Sequence, residues 1–159
     1  MDDIFFMKEA LRLAEEAAKE GEVPVGAVAV WDGEIVGRGR NRREKDKNAL
    51  AHAEIEAINE ACKTLGGWRL WKCDLYVTLE PCPMCSGAII NSRIEKVYFG
   101  AYDKKAGCCG SAADLFAEGL FNHRPEITGG VMETECSKLL TAFFKALREK
   151  KSQKSIDKP

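Results

Sequence analysis

Two short segments, far apart in the chain, constrain the fold more than anything else in it. The first is Ala51-His52-Ala53-Glu54. The second is Glu80-Pro81-Cys82-Pro83-Met84-Cys85, and twenty-seven residues separate Glu54 from Cys82. Alone, a Cys-x-x-Cys is as often a structural zinc knuckle or a redox pair, and a His-x-Glu is usually ordinary helix surface. Together they read as a metal site. Cys82 and Cys85 are three apart and share a face if they open a helix. Pro83 suits the first helical position, where its missing N–H costs nothing. The positive end of that helix favours thiolate over thiol. His52, opening a second helix, can add a neutral imidazole nitrogen. Three protein ligands leave a fourth position for water, which marks a catalytic zinc rather than a structural one. The fold must therefore bring two helix starts to one point.

Glu54 completes the chemistry. Residues two apart do not share a helix face, but side chains of the first turn converge on a metal lying off the helix start. Zinc lowers the pKa of its water to about neutrality, so hydroxide is available as the nucleophile. A carboxylate beside it can take the water's proton and later deliver it to a leaving group. The expected reaction is hydrolytic attack on an sp² carbon, with Glu54 as proton shuttle. This joint pattern is the signature of zinc deaminases that act on nucleobases.

The rest of the chain alternates strands and helices. Ile4, Met7, Leu11, Ala14 and Ala18 form the stripe of a first helix, stopped at Gly21. Val23–Trp31 reads as a buried strand, Asp32-Gly33 as a hairpin turn and Glu34–Arg40 as the return strand, with Gly37 and Gly39 against its regularity. Ala51, Ile55, Ile58, Cys62 and Leu65 mark a second helix, ended by Gly66-Gly67. Leu75–Leu79 predicts a strand, Pro83 to about Asn91 a helix, Lys96–Gly100 a strand, Ser111–Ala117 a short helix and Ile127–Val131 a weak strand. A final helix carries Cys136, Leu139, Leu140, Phe143 and Leu147. The class is α/β, with a mixed five-stranded sheet covered by helices on both faces.

Length and charge narrow the function classes. At 159 residues the chain fits one domain with a core of its own. Residues 1–151 are expected to form that domain, and 152–159 a flexible basic tail. The start, Met1–Ala10, is acidic and mixed, without the basic opening and apolar stretch of a secretory signal. No apolar run reaches membrane length. A cytoplasmic protein is expected, one in which seven cysteines, an odd number, serve metal or catalysis rather than bridges. The net charge of −1 hides local structure. The segments Arg38–Lys47 and Lys145–Lys158 are each strongly basic, while Asp2–Glu22 is acidic. Such runs are most often solvated surface, and otherwise phosphate-binding footprints.

The sequence resembles the bacterial tRNA-specific adenosine deaminases of the cytidine deaminase-like superfamily over roughly Val23–Arg148. The resemblance rests on Val23-Pro24-Val25-Gly26-Ala27-Val28, Asn41-Arg42, Ala51-His52-Ala53-Glu54-Ile55 and Leu75-Tyr76-Val77-Thr78-Leu79-Glu80-Pro81-Cys82. It continues through Ser92-Arg93-Ile94, Phe99-Gly100-Ala101, Gly110-Ser111, Asn122-His123 and Phe143-Phe144. It implies a three-layer α-β-α sandwich and a homodimer. It also implies conversion of the wobble adenosine of a tRNA anticodon to inosine, with release of ammonia. His52, Cys82 and Cys85 would hold one zinc per chain, with Glu54 as the shuttle. Asn41 would hydrogen-bond the flipped base, and Val25, Ala53 and Leu79 would line its pocket. Asp103, Asn122, His123 and Arg148 fall at positions resembling contacts to the anticodon stem-loop.

Two stretches depart from the family. Asn48-Ala49-Leu50 replaces its usual Asp-Pro-Thr at what would be the pocket's edge, and Cys108-Cys109 stands where small residues are usual. Adjacent cysteines seldom bridge each other without strain, so two free thiols are expected. Two other functions fit the residues. A deaminase of a free nucleobase or nucleoside such as guanine shares the zinc chemistry. A non-catalytic zinc module that binds RNA would need a fourth protein ligand, for which Cys108 or Cys109 is the candidate. Apolar residues near Leu115, Phe116, Leu120 and Phe121 suggest a dimer interface.

Overall fold

The structure is a computed structural model that describes residues 3–157. Its elements are α1 (Asp3–Lys19), β1 (Gly26–Trp31), β2 (Glu34–Arg40), α2 (Ala53–Leu65), β3 (Cys73–Leu79), α3 (Pro83–Ser92), β4 (Lys96–Ala101), β5 (Glu126–Thr128) and α4 (Glu133–Asp157). The strands lie in the order β2-β1-β3-β4-β5. β1 is antiparallel to β2 and β3, and the β3–β4 and β4–β5 pairs are parallel. This is the mixed five-stranded sheet expected from the alternation of elements.

β1 is buried on both faces because successive side chains point opposite ways. Ala27 and Ala29 face a core shared with Ala53, Ala57 and Ala61 of α2 and with Ile89 and Ile90 of α3. Val28 and Val30 face a second core with Phe6, Met7 and Ala10 of α1 and Cys136 of α4. Two helices thus cover each face, which makes three layers.

The glycines of β2 have a packing role. A Cβ at Gly37 would run into the Ala57 carbonyl, and one at Gly39 into the Ala53 carbonyl. Their absence of side chains lets the backbone of α2 lie against the sheet edge, which sets the position of the helix start. At the hairpin, Asp32 and Gly33 both have positive φ (49° and 76°), as a two-residue primed turn demands.

Some boundaries differ from the sequence reading. Val23–Val25 lies outside the strand: the Val25 N–H turns back to the Val23 carbonyl at 2.9 Å, only the Val25 carbonyl still accepts from the Asn41 N–H at 3.1 Å, and the ladder begins at Gly26. Ser111–Ala117 is not a helix but turns around an isolated bridge between Cys109 and Asp114. The backbone donors a helix would use there go elsewhere: the Leu115 N–H donates to the Cys108 carbonyl at 3.0 Å, and the Phe116 N–H to the Asp114 side chain at 2.9 Å. The weak strand pairs at Glu126–Thr128 and stops before Gly129-Gly130. α4 runs through Lys151 to Asp157, because nothing between them breaks a helix. The segment expected as a tail is therefore helical that far, and Lys158 and Pro159 lie outside the described residues. Phe116 belongs to the core at 3% exposure, while Leu120 and Phe121 stand half exposed. Among the described residues no helix is long and apolar enough to cross a membrane.

Candidate active site

The two helix starts do meet. His52 is the N-cap of α2 and Cys82 the N-cap of α3, both in extended conformation, and neither side chain caps its own helix. Pro83 occupies the opening of α3. Each cap side chain is therefore free to project past its helix toward the other, and Cys85, one turn into α3, joins them. The His52 Nδ1 lies 3.7 Å from the Cys82 Sγ and 3.6 Å from the Cys85 Sγ. All three donor atoms fall within 4.8 Å of one another. Tetrahedral zinc with ordinary bond lengths to nitrogen and sulfur requires an edge of about 3.6 Å between those two donors, so the residues fit the metal. Among the described residues the group numbers three, and Cys108 and Cys109 do not join it.

Electrostatics follow from the crowding. The Cys85 thiol donates to Cys82 and, with help from His52, holds the Cys82 thiol down at about 4. Cys85 is pushed up, first by that same contact. His52 is raised by its contact with Cys82. Glu54, two residues on, is buried at 4% exposure beside this group. Burial holds its carboxyl up at about 7, where it can both accept and give a proton near neutral pH.

These groups form one wall of a pocket. Val25, Asn41, Ala53 and Leu79, expected at the base, line it with His52, Glu54 and Cys82, and so does Asp103, expected as a contact to the stem-loop. The Asn41 side chain is oriented by two hydrogen bonds. Its Nδ2 donates to the Val23 carbonyl at 3.2 Å, and its Oδ1 accepts from the Arg43 N–H at 3.2 Å. One amide hydrogen and one lone pair are left for a ligand. The pocket also takes in Val23, Arg43, Glu80 and Ala106, which the sequence reading did not assign to the site. Arg43 and Glu80 carried a signal, the basic run and the Glu-Pro-Cys motif. Val23 heads the family-like stretch Val23–Val28, and Ala106 carried no signal.

A groove continues from the pocket. It shares Val23, Leu79, Asp103 and Ala106 with it and adds Tyr102, Lys104, Lys105, Phe144 and Arg148. Arg148 thus lies along the approach. Asn122 and His123 are not among the lining residues of either space. The His123 Nε2 sits 2.6 Å from the Ile94 carbonyl, with its ring edge-on to Trp71. The Asn48-Ala49-Leu50 stretch does not line the pocket either. Asn48 closes a local turn, its Oδ1 accepting from the Leu50 N–H at 2.9 Å, and Leu50 is exposed.

Known proteins resemble the chain over nearly its whole length. A family model for MafB19-like deaminases matches residues 1–148. A tRNA-specific adenosine deaminase of Bacillus subtilis (strain 168) is 54% identical over 149 residues, covering 94% of this chain and 92% of that protein. A solved structure from work on A-to-I editing by tRNA:A34 deaminases at the wobble position superposes with a TM-score of 0.83 at 43% identity, covering 86% of this chain and 99% of that one. A guanine deaminase from Bacillus subtilis superposes with a TM-score of 0.63 at 42% identity, covering 73% and 74%.

Proposed function

The chain belongs to the MafB19-like deaminases and, among them, to the bacterial tRNA-specific adenosine deaminases, and from that membership we propose that it hydrolyses the wobble adenosine of a tRNA anticodon to inosine. The observation that carries this reading is the triangle of His52, Cys82 and Cys85 with the buried Glu54 carboxyl beside it. Those three residues would hold one zinc per chain. When bound, zinc would supply Lewis acidity and make hydroxide available near neutral pH.

The remaining work falls to the protein. Water adds at C6 of adenine and the amine leaves as ammonia. Glu54 takes one proton from the water and gives it to the ring nitrogen beside C6, then takes the remaining hydroxyl proton and gives it to the departing nitrogen as the C6 carbonyl forms. Its burial keeps that proton from being lost to bulk solvent. The spare amide hydrogen and lone pair of Asn41 bond the edge of the extruded base. Val25, Ala53 and Leu79 give it apolar faces, and Asp103 closes one side. Lys104, Lys105 and Arg148 lie along the groove outside the pocket, where phosphates of the anticodon stem-loop would pass. Asn122 and His123 would then meet the RNA beyond the pocket. The half-exposed Leu120 and Phe121 support a homodimer contact on their face. A tRNA substrate supports a cytoplasmic location.

The test is incubation with an anticodon stem-loop carrying adenosine at the wobble position, beside free guanine, cytosine and adenosine. Inosine in the RNA, with free bases turned over far more slowly, is the expected result. Ammonia from free guanine at a matching rate would move the assignment to a free-base deaminase. Light scattering on the same sample reads the dimer.

A further inference from the structure

Two buried glutamates outside the proton-transfer chemistry hold the walls of the pocket. Glu80 is 2% exposed, and its carboxylate accepts four hydrogen bonds. Oε1 receives the Asp103 N–H at 3.1 Å and the Ser111 hydroxyl at 2.5 Å. Oε2 receives the N–H groups of Cys109 at 2.9 Å and Ser111 at 3.1 Å. Four donors fill the capacity of an ionised carboxylate. Its burial would push the carboxyl up, but these bonds outweigh that and hold it below the usual carboxylate range. Gly107 leaves the space the carboxylate occupies, since a Cβ there would run into it. Asp103 then turns the chain in its own right, its Oδ1 accepting from Lys105 and Ala106.

Glu22 repeats the device on the other side. It is 1% exposed, and its two oxygens accept from the Glu44 N–H at 3.0 Å and the Lys45 N–H at 2.7 Å. That loop carries Asn41 and Arg43. Neither loop has regular structure to stiffen it, and each bounds the pocket.

We propose that Glu80 and Glu22 are positioning residues, paired internal clasps that fix the Asp103–Ala106 and Asn41–Arg43 walls at the spacing the base requires. The proposal rests on the deaminase reading above. A wall that drifts must be ordered each time the base binds, and that ordering cost is taken from affinity.

The experiment compares zinc-loaded wild type with Glu80→Gln and Glu22→Gln. An amide at position 80 turns two hydrogens toward backbone donors and cannot accept all four bonds. Amide hydrogen exchange at Asp103, Cys109 and Ser111 should quicken about tenfold in Glu80→Gln, and at Glu44 and Lys45 in Glu22→Gln, with β1 and β3 unchanged. KM for the stem-loop should rise about tenfold, with kcat within about twofold and one zinc per chain retained. Should Glu80→Gln fail to fold, Ser111→Ala removes one bond only. It should raise KM in the same direction, and Ser111→Thr should restore it. Unchanged exchange, faster exchange at unchanged KM, or loss of zinc with a fall in kcat alone would each overturn the assignment. Wild-type protein inactive on the stem-loop would overturn the function proposed above instead, and the exchange rates then decide this proposal by themselves.

Discussion

His52 and Cys82 stand 3.7 Å apart, Nδ1 to Sγ, and each is the N-cap of its own helix. Two helices on one face of the sheet therefore offer their first residues to each other instead of capping themselves. That arrangement leaves donors without a side-chain cap, a cost in stability that metal binding would offset. A chelator should accordingly lower the melting temperature as well as the activity, and added zinc should restore both. Cys82→Ser should lose the metal and at least about 100-fold of activity, read by metal analysis and turnover on the same sample.

Glu54→Gln separates metal from proton transfer. The substitution keeps the size and the buried position but cannot shuttle a proton. Zinc content should stay at one per chain, KM should change little, and kcat should fall by about 100- to 10,000-fold. Retained turnover at full zinc content would remove Glu54 from the mechanism.

The site was far more legible than its walls. His52, Cys82, Cys85 and Glu54 sit on two helix starts, where short-range spacing and Pro83 already dictate geometry. Asn41, Val25 and Leu79 came through resemblance and do line the pocket. Ala106 reaches it only because Glu80 folds the 103–111 loop back, a contact between residues more than twenty apart in sequence. Ser111–Ala117, where local propensity favours a helix, is turned instead because the Leu115 and Phe116 N–H groups go to Cys108 and Asp114. Gly37 and Gly39 looked like weaknesses in β2. Only the docked α2 backbone shows why side chains are excluded there.

Gly39→Ala tests that docking. The added methyl would meet the Ala53 carbonyl and press on the first turn of α2, one residue from His52. Overpacking of this kind costs about 1–3 kcal/mol. Urea unfolding should show a loss in that range, accompanied by weaker zinc retention. Gly67→Ala, where nothing lies within 4 Å of the new atom, serves as the control with little effect.

Acid stability should depend on Glu20. Hydrogen bonds from Arg40, then Lys45, hold its carboxyl at about 2 against an ordinary 4.5. A carboxyl depressed in the folded state stabilises above its unfolded value, where both states are ionised. As pH falls from 4.5 toward 2 the unfolded chain binds the proton first, and that stabilisation is lost. Glu20→Gln should lower stability at pH 7 and flatten the acid limb in that window. High salt should shrink the difference, because the pairs are exposed.

The groove beside the pocket makes a prediction about salt. Lys104, Lys105 and Arg148 line it, although the whole chain carries a charge of −1. If phosphates follow that groove, binding of a stem-loop releases counterions and weakens steeply as salt rises. Removing one phosphate contact should reduce the slope of log K against log salt by about 1 and weaken all RNA sequences alike. Arg148→Ala is the variant to use, since Arg148 lines the groove and not the pocket that holds His52, Glu54 and Cys82. Fluorescence titration from low to physiological salt gives the slope. A slope equal to that of wild type would remove Arg148 from the RNA path, whereas an altered kcat at saturating RNA would mean that the substitution had disturbed the pocket itself.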